Sequence, residues 1–547
     1  MAATYKNMRE MFNETLIRHG NKKAFTLKTK NGFVDKTFSD YYSDIKALSS
    51  SLINMGLNGK KIAVIGTNCY EWCVSYFAVL CAGAVVVPLD NHLFPEEIKR
   101  LLSRSKASAV IFSKRHNDTM KEYDNIINIS MDSEGFIKFY DEISEGNEFL
   151  KKDSAIYDNI TLDENAMSIL MFTSGTTDEA KGVMLSQHNV LSNTHDLSLV
   201  FEFEDNNTYA SMIPLHHAFG CGALTLCAAT GIRIVFPEGL RLEKCLKDYE
   251  VSVMVGVPAI YNAIYKKIMQ KTERAGLTKK VNLGIKLSKV LLKFGIDIRK
   301  KLFKEIHDAL GGNIRLLISG ASALDKNISE FFNNIGIKMI NGYGLTEASP
   351  VLCAERRNIM KSGSVGKAMD SVTIKIDNPN ENGIGEIIAK GPNIMLGYYE
   401  NPDETKKVLK NGWFYTGDMG YTDKDGYLFI TGRKKNVIVL GNGKNVYPEE
   451  LEQLTDNIKG VKESLVYMNT LPSGKEQICA KIVYDEDIYN NEKAYSCIEQ
   501  EINNINKTLI SYKQIKHISV SSEPMAKTTT AKIKRNAELD KINQRNS

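Results

Sequence analysis

Long apolar runs are missing from these 547 residues. The most apolar stretch, VSYFAVLCAGAVVVPLD from Val74 to Asp90, falls short of the roughly 18 residues a membrane span requires, and Gly83 and Pro88 interrupt it. It reads as a buried helix passing into a buried strand. The N-terminal MAATYKNMREMFNETL has no apolar core of the kind that marks an export signal, so no export is expected. Paired cysteines are missing too. The nine that occur are odd in number and scattered from Cys69 to Cys497, without a CxxC pair or a Cys/His cluster at zinc spacing. This excludes a disulfide scaffold and a zinc module, and implies reduced thiols in a cytoplasmic protein. Internal repeats and low-complexity tracts are also absent. What remains, 43% apolar, is a globular chain long enough for several cores.

A bias of charge is lacking overall and present locally. The net formal charge is only +5, yet Lys266 to Lys304 holds thirteen Lys/Arg against Glu273 and Asp297, a local balance of +11 that leaves the rest of the chain at −6. Apolar residues there (Ile285, Leu287, Val290, Leu291, Leu292, Phe294) recur at mixed three and four spacing, the pattern of an amphipathic helix. Such a segment is either a solvated helical face or a patch for a membrane surface or anionic ligand. A nucleic-acid partner is not expected.

Organisation along the chain is α/β. Short β-branched runs (KIAVIG, SAVIFS, IRIVFP, VSVMVGVP, IRLLISG) alternate with helix-length segments, which predicts parallel sheets with crossover helices. From about Val372, IDNPNENGIGEIIAKG and DKDGYLFITG replace this with short strands and Gly/Asn/Asp turns, a small antiparallel or barrel-like subdomain. Helix and strand alternation resumes after TGRKKN. The expected domains are therefore 1–431, a hinge at 432–436, and a small mobile α+β domain at 437–547.

One stretch concentrates chemistry. TSGTTDEAKG, Thr173 to Gly182, follows the strand-like SILMF with hydroxyls, glycines and one lysine, the composition of a loop that wraps phosphate oxygens. It is not a Walker A loop, because no Gly-Lys followed by Ser or Thr stands at the required spacing. Alone, such a loop is equally an ordinary turn.

Further blocks settle the reading. In order, SILMFTSGTTDEAKGVMLS, PLHHAFG, SGASAL, NGYGLTEAS, GWFYTGDMG, GRKKNVIVLGNGKNVYPEELE and KTTTAKIKR resemble the adenylate-forming superfamily of acyl-CoA synthetases, nonribosomal peptide adenylation domains and luciferases. YGLTEASP, KTTTAKIKR and the long insert before IRLLISG are most similar to long-chain fatty acyl-CoA synthetases. The resemblance implies activation of a medium- to long-chain fatty acid by ATP with Mg²⁺, followed by thioester formation with coenzyme A. It implies that Thr173, Ser174, Gly175, Thr176, Thr177 and Lys181 hold the β- and γ-phosphates. Thr346 would contact the α-phosphate and Glu347 the metal. Tyr343 and Gly344 would lie at adenine, with Gly320 and Ala321 on its other side. Asp418 would accept from the ribose hydroxyls and Arg433 would reach ribose and phosphate. His217 would guard the acyl tunnel, Lys532 would be the catalytic lysine, Lys435 the hinge, and Gly441, Gly443 and Lys444 would line the coenzyme A channel.

Two departures stand out. Asp178 and Glu179 make the phosphate loop's tip acidic where the family has Gly-x-Pro, and Ala531 precedes Lys532 where many members have glycine. Two rivals remain open: a fatty acyl-AMP ligase passing its acyl group to an acyl carrier protein, and a catalytically idle membrane-surface or nucleotide-sensing protein. A cytoplasmic location, with peripheral contact at the inner face of the membrane through Lys266 to Lys304, completes the expectation.

Overall fold

Strands rich in Val and Ile that are apolar on both faces belong in parallel sheets covered by helices, and the computed structural model of the chain has two such sheets. Residues 4–132, 134–173, 180–201, 203–204, 206–237, 242–322, 324–356, 360–440, 444–470, 476–527 and 533–546 are described. The chain divides into two compact units: Met1–Thr173, Lys181–Thr373 and Ala389–Phe414 in the larger, and Ser174–Ala180, Ile374–Ile388 and Tyr415–Ser547 in the smaller.

In the larger unit, Met167–Thr173, Val85–Leu89, Lys61–Ile65, Ala109–Phe112 and Ile127–Ser130 lie parallel in one eight-stranded sheet, and Lys181–Ser186 and Gly397–Tyr398 add antiparallel at one end. A nine-stranded sheet runs through Lys338–Gly344, Leu316–Ser319, Val253–Gly256, Thr208–Ala210, Arg233–Val235 and Lys23–Thr29, again parallel. Each β-branched run read from the sequence supplies one of these strands. The stretch Val74–Asp90 is the end of helix Tyr70–Cys81, buried almost throughout, followed by the buried strand Val85–Leu89. Among the described residues no helix is long and apolar enough to cross a membrane, and all nine cysteines are free thiols.

The smaller unit begins with most of a half-barrel. Strands Thr373–Asp377, Gly385–Lys390 and Trp413–Thr422 pair in that order and Leu428–Arg433 adds to the last. A two-stranded hairpin of Ile438–Val439 and Asn445–Val446 follows, then a sheet of Val461–Thr470, Glu476–Tyr484 and Ile515–Ser521. Helices Pro448–Asp456 and Asn491–Thr508 complete it, and Leu451, Val466, Ile482 and Ile498 share one core. The expected α/β class, with a barrel-like subdomain and an α+β tail, is the observed one.

Candidate functional site

In the larger unit the candidate site grows from one β-hairpin. Thr173 pairs with Lys181 across it, and the Thr173 hydroxyl donates to the Lys181 carbonyl at 3.4 Å. Ser174, Gly175, Thr176 and Thr177, and the acidic Asp178 and Glu179, lie outside the described residues. Gly397–Tyr398 pairs with the outer strand of the same hairpin, Tyr398 opposite Val183. Pairing across more than two hundred residues thus puts Tyr398 and Glu404 beside Lys181. The Lys181 ammonium lies 2.6 Å from Glu404 Oε2 and 5.1 Å from the centre of the Tyr398 ring. Lys407 bonds the other oxygen of Glu404. Hydrogen bonds from Lys181 and then Lys407 hold this carboxyl down to about 2, so it stays ionised.

Tyr398 connects the hairpin to the predicted metal ligand. Its hydroxyl donates to Glu347 Oε1 at 2.9 Å. Burial first, then the Glu347 charge, raises the phenol far above its ordinary value, so it remains a donor. Glu347 sits on the 3-10 turn Thr346–Ala348, and this turn is tied down on every side. Leu345 N–H donates to the Pro350 carbonyl at 2.8 Å and Met395 N–H to that of Glu347 at 2.9 Å. The buried Asn393 amide donates to the Ala348 and Val351 carbonyls, at 2.8 and 3.0 Å. Buried Asn193 both donates to the Val351 carbonyl and accepts its N–H. Gly344 is obligatory at the approach, since a Cβ there would stand 1.8 Å from the Pro350 carbonyl oxygen, whereas at Gly342 the nearest atom would be 3.6 Å away.

The predicted adenine and acyl residues stand on the nine-stranded sheet and its neighbours. Tyr343 is 8% exposed on strand Lys338–Gly344, opposite Cys353. Gly320, at the end of the adjacent strand, leaves room for the Phe219 ring, which a Cβ would meet at 3.0 Å. Ala321 follows at φ 71°, a left-handed conformation that costs a non-glycine residue of order 1 kcal/mol or more and that clusters at functional sites. His217 caps helix Ala218–Thr230, its ring centre 4.1 Å from that of His216. His216 lies 3.6 Å from Asp90, but burial, then the neighbouring imidazole, depresses it to about 3, so it is neutral at physiological pH. Behind Tyr343, Glu355 accepts the Asn341 N–H at 2.9 Å, and burial raises its carboxyl to about 7.

The smaller unit holds the other predicted residues. Asp418 and Arg433 are cross-strand partners. Arg433 Nε lies 2.7 Å from Asp418 Oδ1, the carboxylate side chain 6% exposed and the guanidinium 44%. Glu386, which the sequence reading did not single out, aligns these strands: one oxygen accepts the Gly417 N–H at 3.1 Å and the other the Lys434 ammonium at 2.6 Å. Lys435 is exposed in the 3-10 turn Lys434–Asn436, whose Asn436 amide donates to Glu449 at 2.6 Å. Gly441 and Gly443 lie outside the described residues. The Lys444 carbonyl accepts the Leu440 N–H at 3.0 Å, and its ammonium lies 4.6 Å from the Tyr512 ring centre. Lys532 is also outside the described residues; Lys527 and Ile533, on either side of it in sequence, pair antiparallel.

Tyr398, Glu404 and Glu386 thus join the set, and only long-range strand pairing could have revealed them. The model of the AMP-binding enzyme family matches residues 12–399, and the chain belongs to that family. It is 26% identical over 552 residues to the long-chain-fatty-acid–[acyl-carrier-protein] ligase AEE15 of Arabidopsis thaliana, covering 85% of this chain and 75% of that one. It is 26% identical over 449 residues to the long-chain-fatty-acid–CoA ligase FadD15 of Mycobacterium bovis, covering 77% and 73%. The crystal structure of ATP-bound MatB from Rhodopseudomonas palustris superposes with a TM-score of 0.76 at 23% identity, covering 97% of this chain and 98% of that one. The fold is that of the adenylate-forming enzymes.

Proposed function

We propose that the protein joins a medium- to long-chain fatty acid to the α-phosphate of ATP, releasing pyrophosphate, and then passes the acyl group to coenzyme A, releasing AMP. The observation that carries the reading is that Lys181 and Glu347, each in one of the family's motif blocks, are linked through Tyr398. A carboxylate is a poor electrophile, and adenylation gives it a leaving group. No protein nucleophile is needed, only positioning and charge.

The residues fit Mg²⁺. Glu347 Oε1 is engaged by a neutral phenol, so the carboxylate keeps its charge for a cation that takes its remaining ligands from phosphate and water. When bound, the ion would neutralise phosphate charge as pyrophosphate departs. In this reading Tyr343 stacks on adenine between Gly344 and the Gly320–Ala321 turn, Asp418 accepts from the ribose and Arg433 reaches from ribose to phosphate. Thr173 through Lys181 cradle pyrophosphate, where Lys181 exchanges Glu404 for phosphate oxygens. His217 gates the acyl entrance. Domains 1–431 and 437–547 turn about Lys435, bringing Lys532 to the first half-reaction and Gly441, Gly443 and Lys444 to the second. The enzyme works in the cytoplasm.

A carrier-protein acceptor is the second reading, favoured by the relative from Arabidopsis. The deciding experiment supplies a panel of fatty acids with ATP and Mg²⁺, reads AMP and pyrophosphate, then adds free coenzyme A or acyl carrier protein. Thioester on coenzyme A supports the main reading, thioester only on the carrier protein supports the second, and no acid-dependent pyrophosphate release removes both. Lys532→Ala should slow adenylation by about 10²–10³-fold, yet convert presynthesised acyl-adenylate and coenzyme A at close to the wild-type rate. Normal adenylation by this variant would take Lys532 out of the catalytic set.

A further inference from the structure

The basic segment forms helices Pro258–Arg274 and Thr278–Lys293, and the second has two apolar faces rather than one. Val281 and Ile285 pack inward on the core of the nine-stranded sheet. Leu283, Leu287, Val290 and Phe294 face outward, 67%, 48%, 52% and 76% exposed. At 100° per residue, this spacing of four, three and four confines them to a stripe roughly 60° wide. Lys279, Lys286 and Lys293, seven residues apart, follow one border, with Lys289 beyond them, and Lys280 stands on the other. The helix has no carboxylate, and none of these five lysines forms an ion pair among the described residues. The nearby Asp297 is taken by Arg299, at 2.6 Å.

A soluble helix needs no leucines on its water side. Lysines alone would suit any polyanion, but a nucleic acid offers nothing to cover an aliphatic stripe. A second copy seated on the same stripe would oppose lysine rows of like charge. A bilayer with anionic headgroups satisfies both, because acyl chains accept the stripe while the long lysine stems reach back to phosphate. We propose that helix Thr278–Lys293 docks this protein on an anionic lipid surface, Leu283, Leu287, Val290 and Phe294 entering the headgroup boundary and the five lysines engaging lipid phosphates. The proposal goes beyond the enzymatic reading and does not depend on it.

Vesicle co-sedimentation without substrate tests it. The full chain should bind vesicles of phosphatidylcholine mixed with phosphatidylglycerol and not phosphatidylcholine alone. Binding should weaken as ionic strength rises from roughly 0.01 to 0.15 M and the screening length falls from about 30 to about 8 Å. Lys286→Glu with Lys289→Glu should cost at least about twentyfold, since each lysine near such a surface contributes about fivefold. Leu287→Asp with Phe294→Asp should abolish binding while thermal unfolding and ATP-dependent pyrophosphate release stay as in the parent. Phe294→Asp alone, at the exposed helix end, is the milder control should the double variant misfold. Equal, negligible binding to both vesicle types at low salt overturns the proposal. So does unchanged binding by the variants, or a dimer in light scattering that Phe294→Asp dissolves.

Discussion

Glu347, partly buried, and Asp418, buried, are both acids in family motifs, but their neighbours differ in charge. Glu347 meets a phenol, on a turn fixed by two buried asparagines. Asp418 meets a guanidinium, on a strand aligned by Glu386. A neutral donor orients a carboxylate and leaves its charge uncompensated, whereas Arg433 compensates Asp418 outright. The first environment suits a cation ligand and the second a hydrogen-bond acceptor for hydroxyls.

The sharpest way to break this comparison is to remove each charge in turn. Glu347→Gln should lower adenylation by about 10²–10³-fold and leave conversion of presynthesised acyl-adenylate within a few-fold, because no triphosphate is handled in that step. Equal loss in both half-reactions would assign Glu347 a structural part. Asp418→Asn should instead impair both, since the ribose is held throughout, by about 10- to 10²-fold in kcat/KM, the cost of one hydrogen bond to a charged group. Tyr398→Phe removes only the orienting donor, and about 0.5–1.5 kcal/mol, or up to roughly tenfold, is expected in the Mg²⁺ dependence of adenylation. An effect as large as that of Glu347→Gln would make the phenol more than an orienting group.

A last effect concerns stability rather than catalysis and comes from the buried Glu355. Glu355 titrates at about 7 in the folded chain against 4.5 for an ordinary glutamate. The folded state therefore binds this proton more tightly than the unfolded state, so stability is highest below pH 4.5 and declines as pH rises toward about 7, by at most about 3 kcal/mol. Glu355→Gln should flatten that stretch of the profile, read as unfolding midpoints across it. An unchanged slope would show that Glu355 is not its source.

Much of this was legible in order along the chain. Strands such as Lys61–Ile65 and Leu316–Ser319 are continuous apolar runs because both faces are buried, and a run needs no knowledge of its partner to be read. Glu347, Asp418 and Arg433 stand in local motifs. Tyr398, Glu404 and Glu386 do not, because each acquires its role from a strand or lysine far away in sequence. Helix Thr278–Lys293 is instructive in another way. Its period predicted amphipathicity, but Ile285 faces the core while Leu287, Val290 and Phe294 face water, and only the packing distinguishes the two apolar stripes.

Gly342 and Gly344, two residues apart on one strand, differ in whether they can be substituted at all. Position 344 admits no side chain, so a library that varies it mostly yields broken proteins. Position 342 has ordinary contact distance to spare on a regular strand. Alanine at Gly342 should therefore leave the thermal unfolding midpoint close to the parent's, whereas alanine at Gly344 should lower it sharply.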